Sequence, residues 1–250
     1  MGQGLSGPAS HAVVLRVGGA CKRVRSRNEG TPVDGEKFRI DNVDGVIPAN
    51  QARSREAQAR LLKAGEQVFA RKGYDEAHVT DIAAAAGCSI GSFYRRFRDK
   101  EALFRALSLQ FAARTRENFE RFFAMPQWRE APPGEVLRVL VENTARRIER
   151  HPGFFRALFQ RVLAGAGPHY RPALMAADEY SGRRLAQYLR ERGGGADPDL
   201  DENCIMGLRT IQAALIHRML LDYSPNYRTP PEAVGALTRM LGLFVGVATA

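Results

Sequence analysis

The chain has 250 residues, 44% hydrophobic and 26% charged, with 37 Lys and Arg against 27 Asp and Glu. This composition excludes a wholly disordered chain, and the length allows one large domain or two small ones. The net charge of +10 points to a polyanionic partner only if the basic residues cluster.

Residues 1–54 are rich in Gly, Ser, Pro, Asn and Asp and show neither a helical period nor a strand alternation. Such a segment cannot bury enough apolar surface to offset its ordering entropy, so a mostly disordered extension is expected. Its basic stretch, Lys22-Arg23-Val24-Arg25-Ser26-Arg27, reads first as a solvated tail and second as an arm following phosphates. From Arg55 the pattern turns helical. Leu61, Leu62, Gly65, Val68 and Phe69 form one stripe, and Gly73 is placed to stop the helix. Two short segments follow, Val79 to Ala86 and Ile90 to Phe97, parted by Gly87-Cys88-Ser89. Asp99 then opens a long helix with Phe104, Leu107, Phe111, Phe119 and Phe122 at helical spacing, closed by Pro126 and Pro132-Pro133.

Five further helices are expected: Val136 to Arg150, Phe154 to Leu163, Arg171 to Arg192, about Asp199 to Tyr223 and about Pro231 to Ala248. His151-Pro152-Gly153, Gly165 with Gly167, and Gly193-Gly194-Gly195 divide the first of them. No alternation bounded by hairpin signals interrupts this series. The fold class is therefore all-α, about nine helices in total. Residues 55–104 read as one helical domain, opening with three helices, and residues 105–250 as a second, longer helical one.

Residues 79–97 carry the most specific signal. Two short helices meeting steeply through a tight turn need a small residue at the crossing, and Ala83 supplies it. They need a residue tolerant of positive φ after the first helix, which Gly87 provides. They also need an N-cap for the second, which Ser89 provides, with Ile82 and Phe93 closing the core beneath. That is helix-turn-helix spacing. In such a motif the second helix enters the major groove by its N-terminal end. Ile90, Gly91 and Ser92 then face base edges, while Tyr94 and Arg95 lie one turn on, within reach of phosphates. Arg95 could also read guanine bidentately. Lys100 is expected to meet the DNA backbone as a point charge, and Arg95, Arg96, Arg98 and Lys100 concentrate positive field within six positions.

From Leu61 to Phe104 the chain resembles the DNA-binding domain of the TetR family of bacterial regulators. The resemblance rests on Gly73-Tyr74, Val79-x-Asp81-Ile82-Ala83, Ala86-Gly87-x-Ser89, Gly91-Ser92-Phe93-Tyr94, Phe97 and Lys100-Glu101-x-Leu103-Phe104. It implies base or phosphate contacts from Ser92, Tyr94, Arg95, Arg96 and Lys100, with Thr80 near the backbone at the preceding helix. Two positions depart from the family pattern. Ala77-His78 stands where Ser or Thr usually caps, and Arg96 stands where Tyr or His is usual. The resemblance further implies a homodimer built from the last two helices, a palindromic double-stranded operator and an unidentified small-molecule effector. The stripes Leu208, Ile211, Leu215, Met219 and Val234, Leu237, Leu241, Phe244 are the expected dimer interface.

Met175, Met206, Met219 and Met240 with Phe154, Phe155 and Phe159 read first as core and second as a lipophilic chamber. Cys21, Cys88 and Cys204 are widely spaced without CxxC or a flanking His pattern, so neither a disulfide framework nor a metal site is expected. No cofactor is implied. No apolar run approaches the roughly 20 residues of a membrane span, and Val13-Val14-Leu15, cut by Arg16, makes a poor secretion signal. A cytoplasmic protein without membrane contact is expected. The absence of P-loop, HExxH and GxSxG patterns argues against an enzyme. A repressor is the leading expectation, with an activator or a non-specific architectural DNA binder as alternatives. The charge is spread: 8 basic against 5 acidic residues in 1–54, 9 against 7 in 55–104 and 20 against 15 in 105–250. Placement of the basic residues, not their sum, supports DNA.

Overall fold

In the computed structural model, the described residues are 39–193, 197–222 and 227–249. They form α1 (Ala52–Lys72), α2 (Val79–Ala85), α3 (Ile90–Tyr94), α4 (Lys100–Phe123), α5 (Pro133–Arg150), α6 (Pro152–Arg161), α7 (Gly167–Glu191), α8 (Leu200–Leu221) and α9 (Pro231–Val245). The all-α architecture expected from the sequence is what these residues adopt. Helices α1 to α3 make a small head. Helix α4 leaves it as a spine against α7, which packs on α8, while α5 and α8 both lie against α9.

The first stripe behaves as its spacing dictates: Leu61, Leu62, Val68 and Phe69 are each at most 3% exposed. Gly65 is there because α1 crosses α4 closely, and a Cβ on it would sit 2.4 Å from Leu103 Cδ2. A comparable approach joins α7 to α8, where a Cβ on Gly182 would lie 2.7 Å from the Cα of Ile205.

Three expectations need correction. The predicted helix over Ile90 to Phe97 ends at Tyr94. Phe97 instead forms an isolated antiparallel bridge with Val46, and the flanking bonds run Ile47 N to Arg96 O (2.8 Å) and Arg98 N to Gly45 O (2.8 Å). Those bonds satisfy backbone groups that would otherwise be orphaned as the chain turns from α3 into α4. The same contact departs from the disordered extension expected over residues 1–54. From residue 39 the chain is a strap with a 3-10 turn at Ile40–Asn42, and it buries Val46 and Ala49. The part of that expectation falling on residues 1–38, with the Lys22 to Arg27 patch, lies outside the described residues.

The third correction concerns the break expected at Gly165 and Gly167. The chain runs from α6 through a π-helical turn, Val162–Ala166, into α7 without leaving helical geometry except at Gly165, whose φ is +88°. A left-handed residue inside the turn re-aims the helix and does not end it, because only glycine occupies that region without penalty. Helix α8 is long and apolar enough to cross a membrane by length and composition alone. Here one side of it is packed against its neighbours, with Ile211, Leu215 and Met219 at most 1% exposed.

Candidate nucleic-acid interface

The head is assembled around Ala83 and Phe93, 1% and 0% exposed. Gly87 carries φ +63° at the turn, and its N–H donates to Ala84 O at 3.0 Å. Ser89 caps α3, its Oγ accepting from Ser92 N at 3.2 Å. At the start of α2, Asp81 reaches back to accept from His78 N at 3.1 Å and pairs with Lys72 at 2.8 Å. The carboxylate thus does the capping that the sequence at Ala77-His78 lacks. Lys72 is first among the causes that hold Asp81 below the usual carboxylate range, with the His78 amide next.

Once the framework is closed, α3 presents a defined outer surface. Ile90 and Tyr94 are 45% and 50% exposed, and Thr80, Gly91 and Arg95 are exposed. A polar chain runs along that surface: Ser89 Oγ lies 3.1 Å from Ser92 Oγ, which accepts from Arg95 NH2 at 2.8 Å. Tyr94 leans its ring edge on Phe93 at 5.4 Å, leaving the hydroxyl outward. Ile90 and Tyr94 thus stand in solvent on the same short helix that carries the Arg95 guanidinium at its end.

Two predicted residues are placed otherwise. Lys100 is half-buried, and its Nζ donates to Tyr74 O (2.8 Å) and Asp75 O (3.2 Å) while lying 4.5 Å from the Tyr74 ring centre. Burial is the main cause lowering its pKa. Its charge ties α4 to the end of α1 and is not free to meet a phosphate without breaking those bonds. Arg98, part of the predicted basic cluster, is held bidentately by Asp44 of the strap and by Asp99. Arg96 donates from NH1 to Arg95 O.

The sequence reading missed the group that joins the head to the helices behind it. Glu101 Oε2 accepts from Tyr74 Oη at 2.6 Å and from Arg161 at 2.8 Å, and Oε1 accepts from Tyr170 Oη at 2.6 Å and Arg105 Nε at 3.3 Å. One carboxylate in the first turn of α4 therefore holds α1, α6's end and α7. Burial raises its pKa, yet the two phenols and Arg161 outweigh that and keep it below its ordinary value. Burial and this carboxylate both push the phenols of Tyr74 and Tyr170 upward. A charged residue directly after Lys100 was the only local signal; its partners lie up to 69 residues away.

Tyr170 also lines a cleft of about 440 Å³ among α4, α6, α7 and α8, walled by Phe111, Phe155, Phe159, Leu174 and Met175. Of the Met and Phe set read as core or chamber, Phe155, Phe159 and Met175 line this cleft, and Met219 is core.

Most of the predicted dimer stripe faces inward. Ile211, Leu215, Met219, Leu237 and Leu241 are buried within the single chain, and Leu208, Val234 and Phe244 are partly buried against the same core. Helical period marks the apolar face of each helix, and in α8 and α9 the chain itself covers it. The outward side is mixed: Met206, Leu221 and Leu243, respectively 52%, 69% and 85% exposed, stand among exposed Glu202, His217, Arg218 and Arg239.

The family model for bacterial regulatory proteins of the tetR family matches residues 61–107. Over these residues the chain is similar to the DNA-binding segment of that family. The HTH-type transcriptional repressor Rv1474c of Mycobacterium tuberculosis (strain ATCC 25618 / H37Rv) is 32% identical over 113 residues, which is 41% of this chain and 56% of that protein. The chain spans about a third to just over half the length of the first curated relatives it matches. A putative TetR-family transcriptional regulator from Mesorhizobium loti MAFF303099 superposes with a TM-score of 0.64 at 19% identity, covering 78% of this chain and 98% of that one. The regulator FadR from Bacillus subtilis, solved with stearoyl-CoA, gives 0.55 at 18% identity over 75% and 97%. At these identities the superpositions establish the TetR fold.

Proposed function

We propose that the protein is a homodimeric, effector-responsive transcriptional repressor that reads a palindromic operator in double-stranded DNA. The observation that carries this is the outer surface of α3, where Ile90, Tyr94 and Arg95 stay in solvent around a capped, glycine-bearing helix start. Gly91 allows close approach to the groove floor, Ile90 meets a thymine methyl, and Ser92 bonds a base or phosphate. Tyr94 and Arg95 grip the backbone, Thr80 approaches it from α2, and Arg96 adds charge. Lys100 acts in this scheme by fixing the head on α4.

The outward faces of α8 and α9, with Met206, Leu221 and Leu243, supply the apolar surface for a partner copy. The cleft behind Tyr170 is the effector site, and Glu101 is the connection from it to the head. An effector that binds better to the form unable to span both half-sites lowers operator affinity by the same coupling factor. The repressor name of the mycobacterial relative and the acyl-CoA in the Bacillus regulator support this reading. Such a protein works in the cytoplasm, where bacterial DNA is.

Footprinting of the DNA upstream of its own gene tests the proposal. A protected palindrome at physiological salt is expected, and equal affinity for random DNA overturns sequence-specific regulation in favour of architectural binding. Deletion of the gene should raise transcription from that promoter; a fall would make the protein an activator.

A further inference from the structure

The cleft described above is walled mostly by apolar side chains, with Asp178, Arg209 and Gln212 in its lining and Arg171 two turns earlier on α7. Arg209 Nε pairs with Asp178 Oδ2 at 3.1 Å, beside the Gln212 amide. Directly behind Gln212 stands Arg147 of α5. Its NH2 donates to Gln212 Oε1 at 3.2 Å, its NH1 donates to Thr115 Oγ1 at 2.8 Å, and its guanidinium lies 5.3 Å from the centre of Phe111, which also walls the cleft. Its Nε is out of reach of solvent and has no hydrogen-bond partner among the described residues. Burial pulls its pKa down to about 10, with Asp178 the one charge opposing that fall.

The charges do not balance. Two guanidinium groups, Arg147 and Arg209, share the single carboxylate of Asp178, and that carboxylate is already bonded to Arg209. On its other side Arg147 adjoins a second cleft of about 370 Å³ whose walls include Arg121, Arg150 and His151 and no Asp or Glu. His151 is itself spent on Glu66 at 2.7 Å. Arg171, at the mouth of the first cleft, adds a further positive charge. Arg147, Arg209 and Asp178 are partly buried, and a counter-charge is worth more to a guanidinium in such a setting than in open water.

We propose that the effector is an amphiphile bearing a single carboxylate, its hydrocarbon among Phe111, Phe155, Phe159 and Leu174 and its carboxylate displacing the Gln212 amide to reach Arg147 and Arg209. This rests on the cleft being the effector site. The cleft volume falls within the range of small-molecule sites, and its polar lining groups are few, as orientation of such a ligand requires. A neutral ligand of the same shape would fill the apolar walls and leave the excess positive charge unanswered. A dianion would meet Asp178 as well as the two arginines.

Calorimetric titration of the full chain with decanoate and with decan-1-ol separates these. Decanoate should bind about tenfold or more tightly than the alcohol, the scale of a hydrogen bond to a charged group. Arg147→Met should abolish that preference while leaving the alcohol's affinity unchanged. Asp178→Asn, which removes the competing carboxylate and frees Arg209, should tighten decanoate binding. The opposite signs of the two variants keep the test meaningful even if one folds poorly, and melting curves report folding separately. Equal affinities for the two probes, no binding of either, or Asp178→Asn weakening decanoate would each overturn the inference. Operator footprinting without any probe reads the regulator assignment independently. A protected palindrome together with equal affinities would leave the regulator standing and this ligand class refuted.

Discussion

Gly87 sits at φ +63° with no atom within 4 Å of where a Cβ would go. Substituting Ala there creates no clash, so its cost is the backbone penalty of a left-handed residue, about 1–2 kcal/mol of stability in chemical denaturation. Gly91 has the opposite logic. Its backbone is ordinary helix, and an added Cβ would find Ser89 Oγ at 3.8 Å and Arg95 NH1 at 4.0 Å, both comfortable contacts. Gly91→Ala should therefore fold as well as the parent or gain up to about 1 kcal/mol from helix propensity, while operator affinity measured by anisotropy falls because the methyl intrudes on the groove. A fall in stability instead would mean that the glycine serves the head's own packing. Tyr94→Ala, at a residue half exposed in the free protein, should cost about 1–2 kcal/mol of operator affinity, the scale of one charge-assisted hydrogen bond, with no change in melting temperature. All three residues were legible from sequence because what they do depends on neighbours within four positions.

Helix α4 is the element on which head and body meet, and its first turn shows where local reading stops. The Asp99 cap was visible, and its Oδ1 accepts from Ala102 N at 2.7 Å. Lys100 appeared to be a DNA contact, yet its ammonium is occupied by the carbonyls of Tyr74 and Asp75. Glu101 entered only as part of the Lys100-Glu101-x-Leu103-Phe104 pattern, yet three donors from other elements surround it, with Arg105 of the same helix as a fourth. Its folded pKa lies below the ordinary 4.5, so the unfolded chain binds the proton more readily. The stabilisation it contributes is complete above the unfolded value and is lost as pH falls through the folded one. The melting temperature of the parent should therefore fall below about pH 4.5, and Glu101→Gln should melt lower at neutral pH with a shallower acid decline. Parallel curves for the two proteins would remove Glu101 from the stability of the junction. Because Tyr170 touches both this carboxylate and the cleft, the same substitution should reduce effector-dependent release of operator DNA more than it reduces operator binding.

For the whole molecule the decisive distinction is between the covered and the outward side of the same pair of helices. Leu215 is fully buried and Leu243 is 85% exposed. Leu243→Arg should leave a folded chain and, if the outward face of α8 and α9 joins two copies, should convert a dimer to a monomer in sedimentation velocity. Operator affinity would drop with it, since each half-site then binds alone. Leu215→Arg should instead prevent folding, because it places an unpaired charge in the core. A dimeric Leu243→Arg protein would move the interface elsewhere.

The sequence by itself determined the all-α class, several of the helix limits, such as those at Gly73, Ser89 and Asp99, and the helix-turn-helix with its exposed Ile90, Tyr94 and Arg95. Those features follow from periodicity and from residues within a turn of one another, where chain connectivity already guarantees the contact. Tertiary structure decided which apolar stripe of α8 and α9 is core, that the strap from residue 39 pairs with Phe97, and that Tyr74 and Tyr170 converge on Glu101. It also decided that Arg147 is left with more positive charge around it than one carboxylate can answer. Each of these depends on groups brought together from 27 to 69 residues apart or on which side of a helix its neighbours happen to cover. Period reports that a face is apolar, and only packing says what lies against it.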